Sequence, residues 1–338
     1  MTFPHIADCW FLTGPTAAGK SAVGIEFARQ LAGEIISLDS MAVYRHMDIG
    51  TAKPSLDQRA AVPHHLIDIV EPSETFSLAQ YVDAAEHATA DILSRGRTPI
   101  FVGGTPLYLK ALLRGIFQGP AADWEFRERL SAEAAQQNAT WLHDKVRAVD
   151  AAAAARLHPQ DTKRLIRVLE VFEKTGQPIT DLQKQFNQPR PSDECRVFVL
   201  DWPRAELYER INARVEAMFA AGLVDEVREL LSHSQEAPED GASAAAGSAA
   251  TTDQDSTTFA NAFSHTAAQA LGYREVIEHL KGQHTLAETI TLVQNRTRAF
   301  ARRQLTWFRS LSECRFVPCD HNQSSADLAA QVAAVAQA

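Results

Sequence analysis

Apolar residues fall along this chain in two rhythms. Short unbroken runs, "CWFLT", "EIISLD", "HLIDIV", "PIFVGG", "RVFVLD" and "CRFVP", are too brief for helices and are rich in branched and aromatic side chains. Runs of that kind predict strands buried on both faces. Between most of them, apolar residues recur at helical spacing, as in "AVGIEFARQLAG" after the first run. The alternation predicts an α/β fold, a parallel sheet with helices on both faces. One interval breaks the rhythm. From "ADWEFRERLSAEAAQQ" to "DLQKQF" the chain shows helical patterning and no convincing strand, which predicts an inserted helical domain standing over the ligand edge of the sheet. Near the end, "LAETITLVQNRTRAFARRQLTWFRS" predicts one long basic helix. The expected organisation is a first part of the core over 1–118, the insertion over 119–194, more core over 195–231, an acidic low-complexity loop over 232–262 and completion of the core over 263–338.

The first run leads into "GPTAAGKS", the residues Gly14, Pro15, Thr16, Ala17, Ala18, Gly19, Lys20 and Ser21. Strand, glycine-rich loop and helix is the setting in which G-x-x-x-x-G-K-[ST] binds phosphate. Backbone amides, a helix N-terminus and a lysine then face one anion. A P-loop protein that cleaves ATP usually supplies an aspartate at a second strand end to hold magnesium. Here "PIFVGGT" ends in glycines, whereas "EIISLDS" ends in Asp39, whose pattern fits a magnesium ligand, a catalytic base or a helix N-cap. The motif alone leaves the phosphate's identity open.

Composition narrows the partners. The 338 residues are 45% apolar and 22% charged, ordinary for a globular chain of one large or two modest domains. No apolar run is long enough to span a bilayer and the N-terminus does not resemble a signal peptide, so a cytoplasmic protein without membrane contact is expected. The cysteines at 9, 195, 314 and 319 are scattered, without metal-site pairing, and read as buried thiols. The net charge of −9 argues against nucleic acid until its distribution is considered. Residues 232–261 hold five acidic residues and no Lys or Arg in an Ala, Ser, Thr and Gly-rich stretch; without them the remainder carries −4. That stretch is too polar to bury a core and is expected to be disordered. Basic residues meanwhile cluster in "KRLIR" and "NRTRAFARRQLTWFR", so a nucleic-acid partner remains open. The His64–His65 pair has no second pair at metal spacing and reads as structural or near-site. Trp124 and Trp202 read as packing residues.

Taken in order, "GPTAAGKS", "DSMAVYRHMDIGTAKP", "HHLID", "GGTPLY", "DTKRLIRVLEVFEKTG", "ALGYRE" and "RRQLTWFR" resemble the tRNA dimethylallyltransferase family, the bacterial tRNA isopentenyltransferases, over nearly the whole chain. The resemblance implies transfer of a dimethylallyl group from dimethylallyl diphosphate to the exocyclic amine of the adenosine 3′ to the anticodon, with Mg²⁺ and without ATP cleavage. It implies that the P-loop holds a prenyl diphosphate, with magnesium near Ser21 and Arg214 reaching the diphosphate. Asp39 takes the role of base, Thr105 lies near the reacting groups, and Arg127 belongs to the helical lid. It further implies tRNA contacts by Asp39, Ser40, Met41 and Ala42, by Lys163, Arg164, Leu165, Ile166 and Arg167, by Gln269, Ala270, Leu271, Gly272, Tyr273 and Arg274, and by Arg302, Arg303, Trp307 and Arg309. A monomer is expected. Three positions depart from the pattern: Ala42 stands where glutamine is common, Pro106 where glycine is common, and Gln269 where a basic residue sometimes stands. Without the resemblance, the same residues also fit a P-loop nucleoside or small-molecule kinase, with Asp39 as base or magnesium ligand, or a non-catalytic RNA-binding protein switched by a nucleotide.

Overall fold

In a computed structural model, the structure describes residues 3–117, 119–184, 188–233 and 262–337. The acidic stretch expected to be disordered lies, from 234 to 261, outside the described residues. The chain divides into two compact units, one formed by Lys110–Pro189 together with Phe3, the other by Pro4–Leu109 and the described residues after Pro189.

The larger unit is built on six parallel strands: β1 (Trp10–Thr13), β2 (Gly33–Ser37), β3 (His64–His65), β4 (Thr98–Gly103), β5 (Arg196–Asp201) and β6 (Cys314–Pro318). They lie in the order β3-β2-β4-β1-β5-β6. Alternate residues explain why the runs are continuously apolar. Leu12, Ile35, Ile100, Val102, Phe198 and Leu200 share one buried cluster, while Phe11, Ile36, Phe101 and Val199 are also buried. Phe11 and Phe101 stack at 4.9 Å. The first cluster includes Val23 and Phe27 of α1 (Lys20–Gln30), Leu207 and Ile211 of a helix spanning Arg204–Ala220, and Leu328 and Val332 near the C-terminus. A helix over Leu78–Ser94 packs on β2 and β4. Gly33 is required where β2 meets β4: a Cβ there would stand 2.7 Å from the Thr98 carbonyl oxygen and from Ile100.

Register brings the functional loops together. Thr13 pairs with Gly103 across β1 and β4, and Ser37 with Val102 across β2 and β4. Three neighbouring strands therefore end at one level, and the loops after Thr13, Ser37 and Gly103 emerge side by side. Because β4 lies between β1 and β2, the chain leaves them in different directions, the arrangement that opens a crevice at the carboxyl ends of an α/β sheet.

The predicted strand "HLIDIV" is mostly absent. Pairing stops after His65, because Leu66 and Asp68 adopt φ of 60° and 56°, which no strand tolerates. Asp68 is instead drawn to Lys53 and Arg59, and Val70 returns only as an isolated bridge to Tyr44. His65 Nε2 lies 2.8 Å from Glu34 and His64 Nδ1 2.7 Å from the Val62 carbonyl oxygen, so both histidines have structural partners. Cys9, Cys195 and Cys319 are buried thiols as expected, whereas Cys314 is only half-buried.

The smaller unit holds helices and no strand among its described residues. Numbered in chain order, α2 is Leu56–Ala61, α3 Leu78–Ser94 and α4 Pro106–Arg114, the last spanning the boundary between the units. The smaller unit then holds α5 (Trp124–Ala135), α6 (Trp141–Val149), α7 (Ala151–Arg156), α8 (Thr162–Thr175) and α9 (Ile179–Leu182). Asp123, Asp150 and Asp161 cap α5, α7 and α8 through side-chain bonds to the third backbone amide. Leu142, Val146, Leu165, Val168 and Val171 form its core. The larger unit resumes with α10 (Arg204–Ala220), α11 (Leu223–His233), α12 (Tyr273–Leu280), α13 (Leu286–Arg309) and α14 (Ser325–Gln337). The predicted basic helix is thus one 24-residue helix, α13.

Candidate active site

The loop from Gly14 to Ser21 follows β1 and opens α1. Gly14 and Gly19 adopt φ of 149° and 86°, and Ala17 accepts a left-handed φ of 63° at a small steric cost. The loop is held from outside through its carbonyls. Trp202 donates its indole N–H to the Ala18 oxygen at 2.9 Å, and Arg210, whose guanidinium lies 4.1 Å over the Trp202 ring, donates Nε to the Ala17 oxygen at 2.9 Å. Trp202 is thus buried as expected, but it also grips the loop. Lys20 closes the loop by donating Nζ to the Pro15 oxygen at 2.7 Å.

Lys20 carries the most distinctive electrostatics here. Its pKa is lowered from 10.5 to about 7, by burial first and by the positive charge of Arg214 second, with Asp39 opposing both. Burial also lowers the pKa of Arg214, again opposed by Asp39. Two desolvated cations that repel each other form a site for a polyanion, since a bound diphosphate would relieve both burdens at once.

Asp39 follows β2, and no helix begins after it; an N-cap role is therefore excluded. Its Oδ1 accepts the Met41 amide at 2.8 Å, which fixes the turn locally. Thr105, directly beyond the β4 glycines, accepts the Ser40 amide on Oγ1 at 3.1 Å and donates its own amide to the Leu38 oxygen at 3.1 Å. The Asp39–Ser40 turn is in this way clamped to Thr105. A Cβ on Gly103 would be driven into the Leu38 carbonyl, so the close approach of these two loops requires glycine there.

The other expected contacts divide by exposure. In the larger unit, Ser40, Met41, Leu271 and Trp307 are half-buried, and Gln269, Arg274, Arg302, Arg303 and Arg309 are exposed. Ala42 and Ala270 are buried, and Tyr273 is fully buried, so its side chain does not face outward as expected. Gly272 is buried too. Tyr273 lies under Gly50, where any Cβ would strike its ring, and donates its hydroxyl to Glu226 at 2.6 Å. In the smaller unit, Lys163 and Arg164 are exposed while Leu165 and Ile166 belong to that unit's core. Arg127 donates Nε and Nη2 to the buried Glu170 carboxylate at 2.8 Å each, and Arg167 joins the same carboxylate. The two arginines hold the Glu170 pKa below its ordinary value against its burial. Trp124 is 39% exposed, with Arg127 4.8 Å over its ring.

Several supporting residues carry no sequence signal. Gln304, buried on α13, accepts the Thr16 amide at 2.9 Å and donates to the Gly104 oxygen at 2.6 Å. Glu226 on α11 accepts the amides of Asp48, Ile49 and Gly50 at 2.9, 2.7 and 3.2 Å. Lys53, with 1% of its side chain exposed, bonds Asp48 and Asp68. Two quoted motifs contain members of this set, "DIGTAKP" holding Lys53 and "RRQLTWFR" holding Gln304, but neither string shows these contacts.

Among the described residues, no cluster of three or more His, Cys, Asp or Glu is placed to hold a metal. The half-buried Ser21 hydroxyl in the first turn of α1 offers a single hard oxygen donor. That suits Mg²⁺, which is commonly held by one or two protein oxygens together with substrate phosphates and water. Among the same residues no helix is long and apolar enough to cross a membrane.

Comparison with known proteins agrees with this geometry. The family model described as IPP transferase matches residues 42–311. A tRNA dimethylallyltransferase of Roseiflexus sp. (strain RS-1) is 44% identical over 326 residues, covering 96% of each chain. One of Rhodopirellula baltica is 41% identical over 333 residues, 96% of this chain and 92% of the relative. Among solved structures, the full-length tRNA isopentenylpyrophosphate transferase of Bacillus halodurans matches with a TM-score of 0.62 and 34% identity, covering 97% of this chain and 96% of that one. A eukaryotic dimethylallyltransferase acting on tRNA shares the fold, with a TM-score of 0.66 at 23% identity over 92% of this chain and 73% of that one. None of these relatives supports the kinase reading. With its parallel sheet, its P-loop and sequence identity above 40% along nearly its full length, the chain belongs to the IPP transferase family.

Proposed function

We propose that the protein transfers a dimethylallyl group from dimethylallyl diphosphate to the exocyclic N6 amine of the adenosine 3′ to the anticodon of certain tRNAs, releasing diphosphate. The observation that carries this reading is the meeting, at one sheet edge, of two desolvated cations, Lys20 and Arg214, with the carboxylate of Asp39. A kinase could use the same cations and the same carboxylate; prenyl transfer is favoured because relatives 41% and 44% identical to this chain are tRNA dimethylallyltransferases.

The chemistry follows from the charges. The allylic C–O bond breaks as negative charge develops on the departing diphosphate, and the loop amides, Lys20 and Arg214 stabilise that charge. The adenine amine is a poor nucleophile because its lone pair is delocalised into the ring. As its nitrogen bonds the allylic carbon, a proton must leave that nitrogen, and Asp39 Oδ accepts it. Thr105 holds the Asp39–Ser40 turn in place through the Ser40 amide. Magnesium held beside Ser21 would add charge neutralisation on the phosphate oxygens. The exposed cations Arg274, Arg302, Arg303 and Arg309, and in the smaller unit Lys163 and Arg164, serve as contacts for the RNA backbone. In the smaller unit, Arg127 presents whatever donor capacity Glu170 leaves free.

Replacing Asp39 by Asn tests the base directly. Asn keeps the shape and can still accept the Met41 amide but cannot take a proton. Single-turnover transfer with both substrates saturating should slow by about two to four orders of magnitude, the usual contribution of general-base catalysis. A rate within about tenfold of the parent would remove the assignment, being below even the low end of that range.

A further inference from the structure

We propose that Gln304 is a positioning residue that ties the diphosphate loop to the RNA-facing helix, so that occupation of one changes affinity at the other. The inference rests on the proposed function. It adds a connection between two sites that the reaction requires but that no motif joins.

The geometry is specific. Gln304 is 4% exposed and has both ends of its amide engaged, accepting from the Thr16 N–H and donating to the Gly104 oxygen. Thr16 lies in the loop that cradles the anion, and Gly104 lies between β4 and Thr105, the residue that clamps the Asp39 turn. One side chain thus bridges the leaving-group side and the base side of the site. Gly104 is shaped to receive it: a Cβ there would stand 2.8 Å from Gln304 Nε2 and 3.3 Å from Lys20 Nζ. The same spacing places the Gln304 amide in the neighbourhood of the lysine that binds the anion.

The helix that presents Gln304 carries Arg302 and Arg303 immediately before it and Trp307 and Arg309 after it. Arg302 donates to the Tyr208 hydroxyl at 3.1 Å, and Gln294 bonds Glu216 at 3.1 Å, both on α10. Arg298 also bonds Asn212 there. That helix supplies Arg210, which grips the Ala17 oxygen, and Arg214. The loop is therefore held by α10 through Arg210 and by α13 through Gln304. A shift or stiffening of α13 when RNA engages its arginines is transmitted to the Thr16 amide through one Gln304 hydrogen bond and to the Gly104 oxygen through the other. Linkage makes the effect reciprocal: if RNA tightens diphosphate binding, diphosphate tightens RNA binding by the same factor. Local ordering of the pair is sufficient to produce such coupling without a large motion.

The test uses inorganic diphosphate as the anion and a synthetic anticodon stem-loop RNA, measuring the Kd of diphosphate with and without saturating RNA. The two values define a coupling factor. In the parent protein RNA should tighten diphosphate at least about fivefold, the low end of ordinary allosteric coupling. Gln304→Leu, of similar size without either hydrogen bond, should bring that factor to within twofold of one while RNA affinity in the absence of diphosphate changes less than threefold. Gln304→Glu keeps the acceptor for Thr16 but sets an oxygen against the Gly104 carbonyl, and should retain an intermediate factor. It also serves if the Leu variant does not fold. A role in stability alone would lower the melting temperature and leave the coupling factor intact. An unchanged factor in either folded variant, or a parent protein that binds both ligands with no coupling, overturns the inference. Failure of the parent to bind diphosphate or RNA at all would overturn the proposed function itself, a distinguishable result.

Discussion

Lys20 shows how a single residue can be both ordinary in sequence and unusual in place. Its position in "GPTAAGKS" makes the proposed phosphate role readable from sequence, because a P-loop is a local structure whose geometry is written in contiguous residues. Its titration was not legible, since it depends first on burial and then on Arg214 and Asp39, brought alongside by other elements. The sign of the consequence can be worked out. With the pKa lowered to about 7, Lys20 is charged below that pH and increasingly neutral above it. A bound diphosphate favours the charged form and raises the pKa again, so binding takes up a proton above pH 7. Apparent diphosphate affinity should therefore fall by about tenfold per unit above pH 7, and this group should add no pH dependence below it. Calorimetry at pH 8.5 in buffers of different ionisation enthalpy reads the proton uptake, expected near one. An affinity flat from pH 7 to 9 would mean that Lys20 stays charged throughout. Gln304 marks the opposite limit of legibility: its partners lie 288 and 200 positions away, and nothing in local pattern points to them.

Among the elements, the segment from Met41 to Lys53 depends most on others for its shape. It has little regular structure, and "DIGTAKP" was readable only as part of a family motif. Its order comes from Glu226 on α11, which accepts three consecutive amides of the segment, and from Lys53, which bonds the Tyr44 oxygen and two aspartates. Tyr273, expected to face RNA, supplies the fourth donor to Glu226. Its large aromatic surface proved more useful in the core than on the surface, and "ALGYR" as a string could not distinguish the two. Strand "HLIDIV" failed for a related reason. Asp68 is worth more as the common partner of Lys53 and Arg59 than as a ladder residue, so the backbone turns away after His65. Glu226→Ala should leave several donors without partners. The destabilisation expected is about 2–4 kcal/mol, discounted from the sum because Asp48 can turn to water. Urea unfolding measures it. Glu226→Gln keeps one acceptor oxygen and should lose about half as much; equal stability of all three proteins would show that the segment holds its own shape.

For the molecule as a whole, alternation of strands and helices foretold the parallel sheet, and the long interval without strands foretold a helical unit. Strand order was not legible. The placement of β4 between β1 and β2 follows from pairing between distant segments, yet it is what brings the P-loop, Asp39 and Thr105 to one edge. The net charge of −9 likewise misled until its distribution was considered, since Arg302, Arg303 and Arg309 are exposed on a single helix. The central claim is that this edge cleaves an allylic diphosphate for transfer to RNA and does not consume ATP. The most direct measurement incubates the purified protein and Mg²⁺ with dimethylallyl diphosphate labelled in its hydrocarbon, or with γ-labelled ATP, each with and without unmodified tRNA. The account predicts label from the prenyl donor in RNA, at the adenosine 3′ to the anticodon, with one diphosphate released per transfer and no RNA-dependent loss of ATP. Consumption of ATP with no prenyl label in RNA would contradict it.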